Sequence, residues 1–160
     1  MGVVGPSNSG KTRLVVGTAA ELRRRGWRVA TIKHTPHGHA LQPAGTDTAA
    51  HLSAQPAAVA LVTPGGVALV RPGPPDPEAL IARDFSDVDF VLVEGWRSAP
   101  WPAVWVRRPE QPEDGDWQPP TRLLAVAGAP AAPGCPQIPA TGPAMADLVE
   151  ALVRAPAARR

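Results

Sequence analysis

The stretch VVGPSNSGKT, residues 3–12, decides the fold. Gly5 to Thr12 fit the phosphate-binding pattern G-x-x-x-x-G-K-[ST]. Glycines in such a loop let successive main-chain N–H groups turn inward on an anion, and the helix that follows adds the positive end of its dipole. Lys11 would reach the β- and γ-phosphates, and Thr12 would offer its hydroxyl to Mg2+. Ser7 and Ser9 are further donors, and Pro6, Asn8, Gly10 and Arg13 complete the contiguous binding stretch. Context strengthens the short pattern. An apolar strand, Gly2 to Gly5, precedes it. A helix from about Lys11 to Arg25 follows, with Leu14, Val15, Ala19 and Leu22 on one face.

Gly26 stops that helix after three arginines, which suit the negative end of its dipole. WRVATIKH, residues 27–34, is the second strand. Strand, helix and strand make a βαβ unit, hence parallel strands joined by a right-handed crossover. A polar loop follows, then a short helix from Asp47 to about Ala54 capped by Thr46 or Asp47. The two VALV runs, 59–62 and 67–70, flank TPGG as a hairpin. PPDPEALIAR opens a helix with Asp76 as N-cap and Pro77 in its first turn. DFVLVEG (89–95), AVWVR (103–107) and LLAVAG (123–128) are strands, and a helix closes the domain from about Ala144 to Val153. Residues 109–120 form a Pro-rich acidic loop. The expected fold class is α/β, P-loop NTPase-like, with a mostly parallel central sheet flanked by helices and a β-hairpin extension. Residues 1–154 are expected as a single nucleotide-binding domain, and 155–160 as a flexible tail. Only Met1 precedes the first strand, so that strand is either very short or lacks residues before it.

Composition narrows the function classes. The chain has 160 residues and a net charge of +2, with no basic run that would suit nucleic acid. The single cysteine, Cys135, forms no internal disulfide, which suits a reducing compartment. No leader and no apolar run near ~18 residues suggests a membrane, so a cytoplasmic protein is expected. Arginine supplies nearly all the cations: of 16 Lys and Arg residues, only Lys11 and Lys33 are lysines. Both positions suit a compact ammonium rather than a planar fork.

A nucleotide site needs a carboxylate near Mg2+ at the carboxyl end of a strand beside the loop. Asp89 and Glu94 bracket the strand FVLV, roughly 16 Å apart at ~3.3 Å per residue. Only Glu94 stands at the carboxyl end; Asp89 is a strand-entry residue. Gly95 permits close backbone approach. Lys33 and His34 end the second strand on the same rim. His34, His37 and His39 form H-x-x-H-x-H, a spacing open to Zn2+ or Ni2+ but short of the four ligands of a structural site. Asp47 is either a helix cap or a second carboxylate for Mg2+. Trp96 follows Glu94-Gly95 and could shield the site or meet a partner. No guanine signature [NT]-K-x-D is present, so the base is not legible.

Taken together, VVGPSNSGKTRL, VATIKHTPH, PAGTDTAAH and VLVEGWR, in that order over about residues 2–107, resemble the molybdopterin-guanine dinucleotide biosynthesis protein B (MobB) family. The resemblance implies a small homodimeric P-loop protein that binds GTP with Mg2+. It also implies a role assisting the guanylyltransferase MobA, which joins GMP to molybdopterin, with weak intrinsic GTP hydrolysis. Molybdopterin or its guanine dinucleotide would be a second ligand. Carried over by motif, Gly10, Lys11 and Thr12 would hold the phosphates and Mg2+. Lys33, His34, Asp47 and Glu94 would line the same cleft, with Glu94 beside the metal and, with Lys11, closest to any hydrolytic chemistry. The chain departs from the family at Gln42, Thr46 and Ala50, outside the phosphate loop.

Two other readings stay open on the residues alone. A P-loop small-molecule kinase needs a lid that carries arginines over the transferred phosphoryl group, and the nearest are Arg97, Arg107 and Arg108. A nickel metallochaperone GTPase is motivated by the histidine loop.

Overall fold

The computed structural model describes residues 1–35, 44–108, 119–128 and 134–154. These form two compact units: a larger one from Met1–Thr35 with Ile81–Arg160, and a smaller one from Pro36–Leu80.

The larger unit is built on a six-stranded sheet. Its strands are β1 (Gly2–Val4), β2 (Val29–Lys33), β5 (Phe90–Glu94), β6 (Ala103–Val106), β7 (Leu123–Ala127) and β8 (Gln137–Ile138), in the order β2-β5-β1-β6-β7-β8. Every neighbouring pair is parallel. The expected α/β class is therefore the observed one. Strand β8 was not anticipated: it has two residues and lies between prolines in PQIP.

Side chains alternate between the two faces of a strand, and burial follows that alternation. Val3, Phe90, Leu92, Val104, Val106, Ala125 and Ala127 form one core with Leu14, Val15 and Leu22 of α1 (Lys11–Arg24) and Met145, Ala146 and Val149 of α4 (Gly142–Arg154). On the opposite face, Val4, Val93 and Val126 are also buried. A βαβ sheet enclosed this way reads as near-continuous apolar runs, which is why FVLV and LLAVA stand out in the sequence.

Helix α1 ends as its sequence requires. Gly26 adopts φ 90°, its N–H donates to Arg23 O, and Trp27 N–H donates to Leu22 O. The three arginines are not all solvated. Arg25 reaches Glu21 at 2.8 Å and Asp147 of α4 at 2.7 Å, so it ties the two helices together. Thr18, a polar residue in the buried stripe, satisfies itself by donating to Leu14 O at 2.7 Å. Helix α4 starts at Gly142, two residues earlier than expected, because Pro143 is tolerated in a first turn whose N–H groups have no intrahelical partner.

In the smaller unit, helix α2 (Asp47–Ser53) is capped by Thr46, whose hydroxyl accepts from Ala49 N–H at 3.2 Å. Strands β3 (Val59–Thr63) and β4 (Gly66–Val70) pair as an antiparallel hairpin, with Thr63 Oγ1 bridging the turn. Helix α3 (Pro77–Asp84), capped by Asp76, begins in the smaller unit and ends in the larger. Among the described residues no helix is long and apolar enough to cross a membrane. Residues 109–118, the bulk of the acidic loop, and 155–160 lie outside the described residues.

Candidate functional site

Strand register brings the site together. Lys33 lies opposite Glu94 across β2 and β5, and Val3 lies opposite Glu94 across β1 and β5. The carboxyl ends of these three strands therefore form one rim. Alternation then aims the side chains. Phe90 and Leu92 point into the core beneath α1, so Glu94 points the same way; Val29 packs on that core, so Lys33 does too.

Glu94 is 7% exposed, which is unusual for a carboxylate. Its Oε1 accepts a hydrogen bond from Thr12 Oγ1 at 2.7 Å, and Lys33 Nζ stands 3.8 Å from the same oxygen. Asp89 lies at the other end of β5, where its carboxylate accepts from Arg28 N–H at 2.8 Å and fixes the entry into β2.

The loop between β1 and α1 has the backbone its sequence demands. Gly5 sits at φ 156°, and a Cβ there would overlap the Val106 carbonyl oxygen at the end of β6. Asn8 takes the left-handed conformation at φ 60°, which asparagine tolerates better than most residues. Gly10 occupies the N-cap of α1 and no side chain caps that end. The Ser9 hydroxyl is buried and has no hydrogen-bond partner among the described residues. Lys11 Nζ donates to Pro6 O at 2.5 Å, bending across the loop. Burial lowers the Lys11 pKa below its ordinary 10.5; the Glu94 charge opposes that shift and the Lys33 charge adds to it.

His34 clamps the far side of Glu94. Its N–H donates to Glu94 O at 2.8 Å, and its Nδ1 lies 3.4 Å from Gly95 O. The imidazole packs on the Trp96 ring at 4.2 Å between centroids. Gly95, at φ 83°, turns tightly here: a Cβ would come within 2.6 Å of His34 O. Trp96 thus lies beside the site as the sequence suggested, held by His34.

The cluster is built wholly from the larger unit: Gly5 to Thr12, Lys33, His34, Glu94 and Gly95. Asp47 belongs to the smaller unit, where it is an exposed first-turn acid of α2. His37 and His39 lie outside the described residues. Among the described residues, no group of three or more His, Cys, Asp or Glu side chains gathers to hold a metal. The hydroxyl of Thr12 and the carboxylate of Glu94 are hard oxygen donors. They suit Mg2+, which binds through one or two protein oxygens together with phosphates rather than in an all-protein cage. The buried Ser9 hydroxyl and the uncapped helix end suit an anion in the loop. A shallow groove of about 580 Å3 in the smaller unit, lined by Ala50, His51, Ala54, Pro56, Ala58, Val59 and Ala60, has no comparable set of polar groups.

Residues 1–129 match the family described as Molybdopterin guanine dinucleotide synthesis protein B, MobB. The chain belongs to the MobB family. It is 33% identical over 114 residues, 69% of its own length, to the molybdopterin-guanine dinucleotide biosynthesis adapter protein of Haemophilus influenzae. The match spans 64% of that curated relative, just under two thirds. The fold is similar to a crystal structure of molybdopterin-guanine biosynthesis protein B at TM-score 0.73 and 26% identity, covering 96% of this chain and 97% of that one. Bacillus subtilis MobB is 24% identical at TM-score 0.73, over 97% of this chain and 98% of that one, a likeness of fold alone. The MobB family match runs through both units and ends just after β7.

Proposed function

We propose that this MobB family chain is a Mg2+-dependent GTP-binding adaptor. In this reading it assists the guanylyltransferase step that makes molybdopterin guanine dinucleotide, as a cytoplasmic homodimer with slow intrinsic hydrolysis. Its Haemophilus relative carries the name of an adapter protein in this synthesis. The observation that carries the nucleotide part is the hydrogen bond from Thr12 to Glu94 at 2.7 Å. It joins the phosphate-loop hydroxyl to a buried strand-end carboxylate. In P-loop NTPases such a hydroxyl and an acidic strand-end residue hold the Mg2+ that accompanies the β- and γ-phosphates. Bound Mg2+ would supply charge neutralisation on those phosphates. The chain's own residues supply the cradle: the loop amides and Lys11 for the phosphates, Thr12 and Glu94 for the metal. His34 and Gly95 hold the Glu94 end of β5 in place. Molybdopterin or its guanine dinucleotide is the second ligand in this reading, and a MobA-like guanylyltransferase is the partner.

The experiment is calorimetric titration of GTP and ATP with Mg2+, followed by phosphate release measured with and without the guanylyltransferase. The adaptor reading expects GTP binding with slow release. Fast release by the chain alone, or phosphoryl transfer to a small acceptor, would replace it with an enzyme. A Lys11→Ala variant that keeps full nucleotide affinity would remove the phosphate site from the reading.

A further inference from the structure

Both lysines of a chain otherwise served by arginine stand at the rim that carries Glu94. Lys33 Nζ lies 3.8 Å from Glu94 Oε1, and Lys11 feels the charges of both Glu94 and Lys33. They come from different elements. Lys11 opens α1 behind β1, whereas Lys33 ends β2, and β5 lies between β1 and β2 in the sheet. Along the rim the order is therefore phosphate loop, Glu94, Lys33.

That order has a chemical consequence, which rests on the nucleotide site proposed above. Phosphates cradled by the loop amides and Lys11 would sit at the β1 end of this rim, and a metal held by Thr12 and Glu94 would sit on their β5 side. Lys33 is the next cation along the rim, where it would meet an outermost phosphate. We propose that Lys33 reads the terminal phosphate and makes the site selective for a nucleoside triphosphate over the diphosphate.

The side chain suits that task. Lys33 is 66% exposed, so an anion can reach it from solvent. Its contact with the buried Glu94 carboxylate is long, at 3.8 Å, and the lysine end of the pair is open to solvent. Glu94 keeps its hydrogen bond from Thr12 when Lys33 turns to a terminal phosphate. A lysine brings a compact charge on a flexible stem, whereas the planar arginine fork would have to meet the phosphate in one orientation.

The test is titration of GTP and of GDP, each with Mg2+, into the wild-type chain, Lys33→Met and Lys33→Arg. Wild type binds GTP more tightly than GDP. Lys33→Met weakens GTP about tenfold, the size of one lost charge-assisted contact, and leaves GDP nearly unchanged. Lys33→Arg recovers part of the difference. Equal loss for both nucleotides would mean that Lys33 only adds general positive charge, and overturns the proposal. So does an unchanged GTP affinity, or a wild type that does not distinguish the two. A wild type that binds neither nucleotide overturns the phosphate site itself, a different failure from GTP binding that ignores Lys33. Because Lys33 is exposed, a thermal melt of each variant should match wild type closely.

Discussion

Replacing Thr12 with valine removes one hydroxyl and keeps the side chain's shape. The structure allows its cost to be worked out. The hydroxyl donates at 2.7 Å to a carboxylate whose side chain is only 9% exposed. Removing the partner of a charged, buried acceptor costs about 1.5–3 kcal/mol. Little offsets this. Thr12 is exposed, so the new methyl group buries no useful area, and valine and threonine have similar helix propensities. Lys33 remains nearby, but its exposed contact is discounted for solvent screening. The net expectation is about 2 kcal/mol, or roughly a 4–8 °C drop in Tm for a chain of this size. The described tryptophans, Trp27, Trp96, Trp101 and Trp105, all lie in the larger unit, so tryptophan fluorescence during urea unfolding reports on the unit that holds the contact. Adding Glu94→Gln to both backgrounds gives a double-mutant cycle with an expected coupling of about 1–2 kcal/mol. A Thr12→Val cost below about 0.5 kcal/mol with no coupling would refute the pairing, and with it the metal position built on Thr12 and Glu94.

The contact between α1 and α4 predicts opposite outcomes for its two glycines. A Cβ on Gly142 would overlap the backbone of Gly17, so Gly142→Ala should destabilise by about 1–3 kcal/mol. A Cβ on Gly17 would meet Gly142 at an ordinary 3.5 Å, so Gly17→Ala should be neutral or stabilising by up to about 1 kcal/mol; denaturant midpoints separate the two. Glu21 is held at a pKa of about 2 by its hydrogen bonds to Arg24 and Arg25, against 4.5 when free. Its stabilisation is full above 4.5 and fades as pH falls toward 2, so Glu21→Gln should flatten the unfolding midpoint across that window; an unchanged slope would show that the cluster does not hold in solution. Lys11, lowered below 10.5 by burial, binds fewer protons in the folded chain than when unfolded. That contribution to stability grows as pH rises through the lowered pKa toward 10.5. A phosphate beside the ammonium raises its pKa again, so nucleotide binding at alkaline pH should take up protons. Calorimetric enthalpies that do not vary with buffer ionisation heat, or that vary equally for Lys11→Met, would contradict this.

Much of the framework was legible because local chemistry and global fold agree. The phosphate-loop pattern, the apolar strand before it and the amphipathic helix after it all specify one supersecondary unit. The run FVLV is apolar on both faces because the central strand is buried on both, and that made Glu94 stand out at its end. What stayed illegible depends on residues distant in sequence. Thr12 and Glu94 are 82 positions apart, and their contact follows from β5 inserting between β1 and β2, an order that no local pattern encodes. The sequence puts His34 at the end of the second strand, on the rim of the cleft, but does not show its partners. Its main-chain and ring contacts with Glu94, Gly95 and Trp96 appear only once β2 and β5 are paired. Strand β8 escaped notice because two residues are too few to show a period, and the start of α4 did because Gly-Pro resembles a break.

The three-residue strand β1 has a consequence for the order of assembly. It gains its neighbours only from residues roughly 90 to 100 positions later, Val93 and Glu94 on one side and Ala103 to Trp105 on the other. Closing such long loops is entropically costly and comes before any reward from pairing. The phosphate loop thus leaves the ribosome well before the strands that scaffold it. A nascent chain halted before β6 carries the whole motif GPSNSGKT without the Val106 carbonyl that Gly5 packs against. Ligand capture by stalled chains of increasing length should therefore switch on only after β6 has emerged, marking the completed sheet rather than the completed motif.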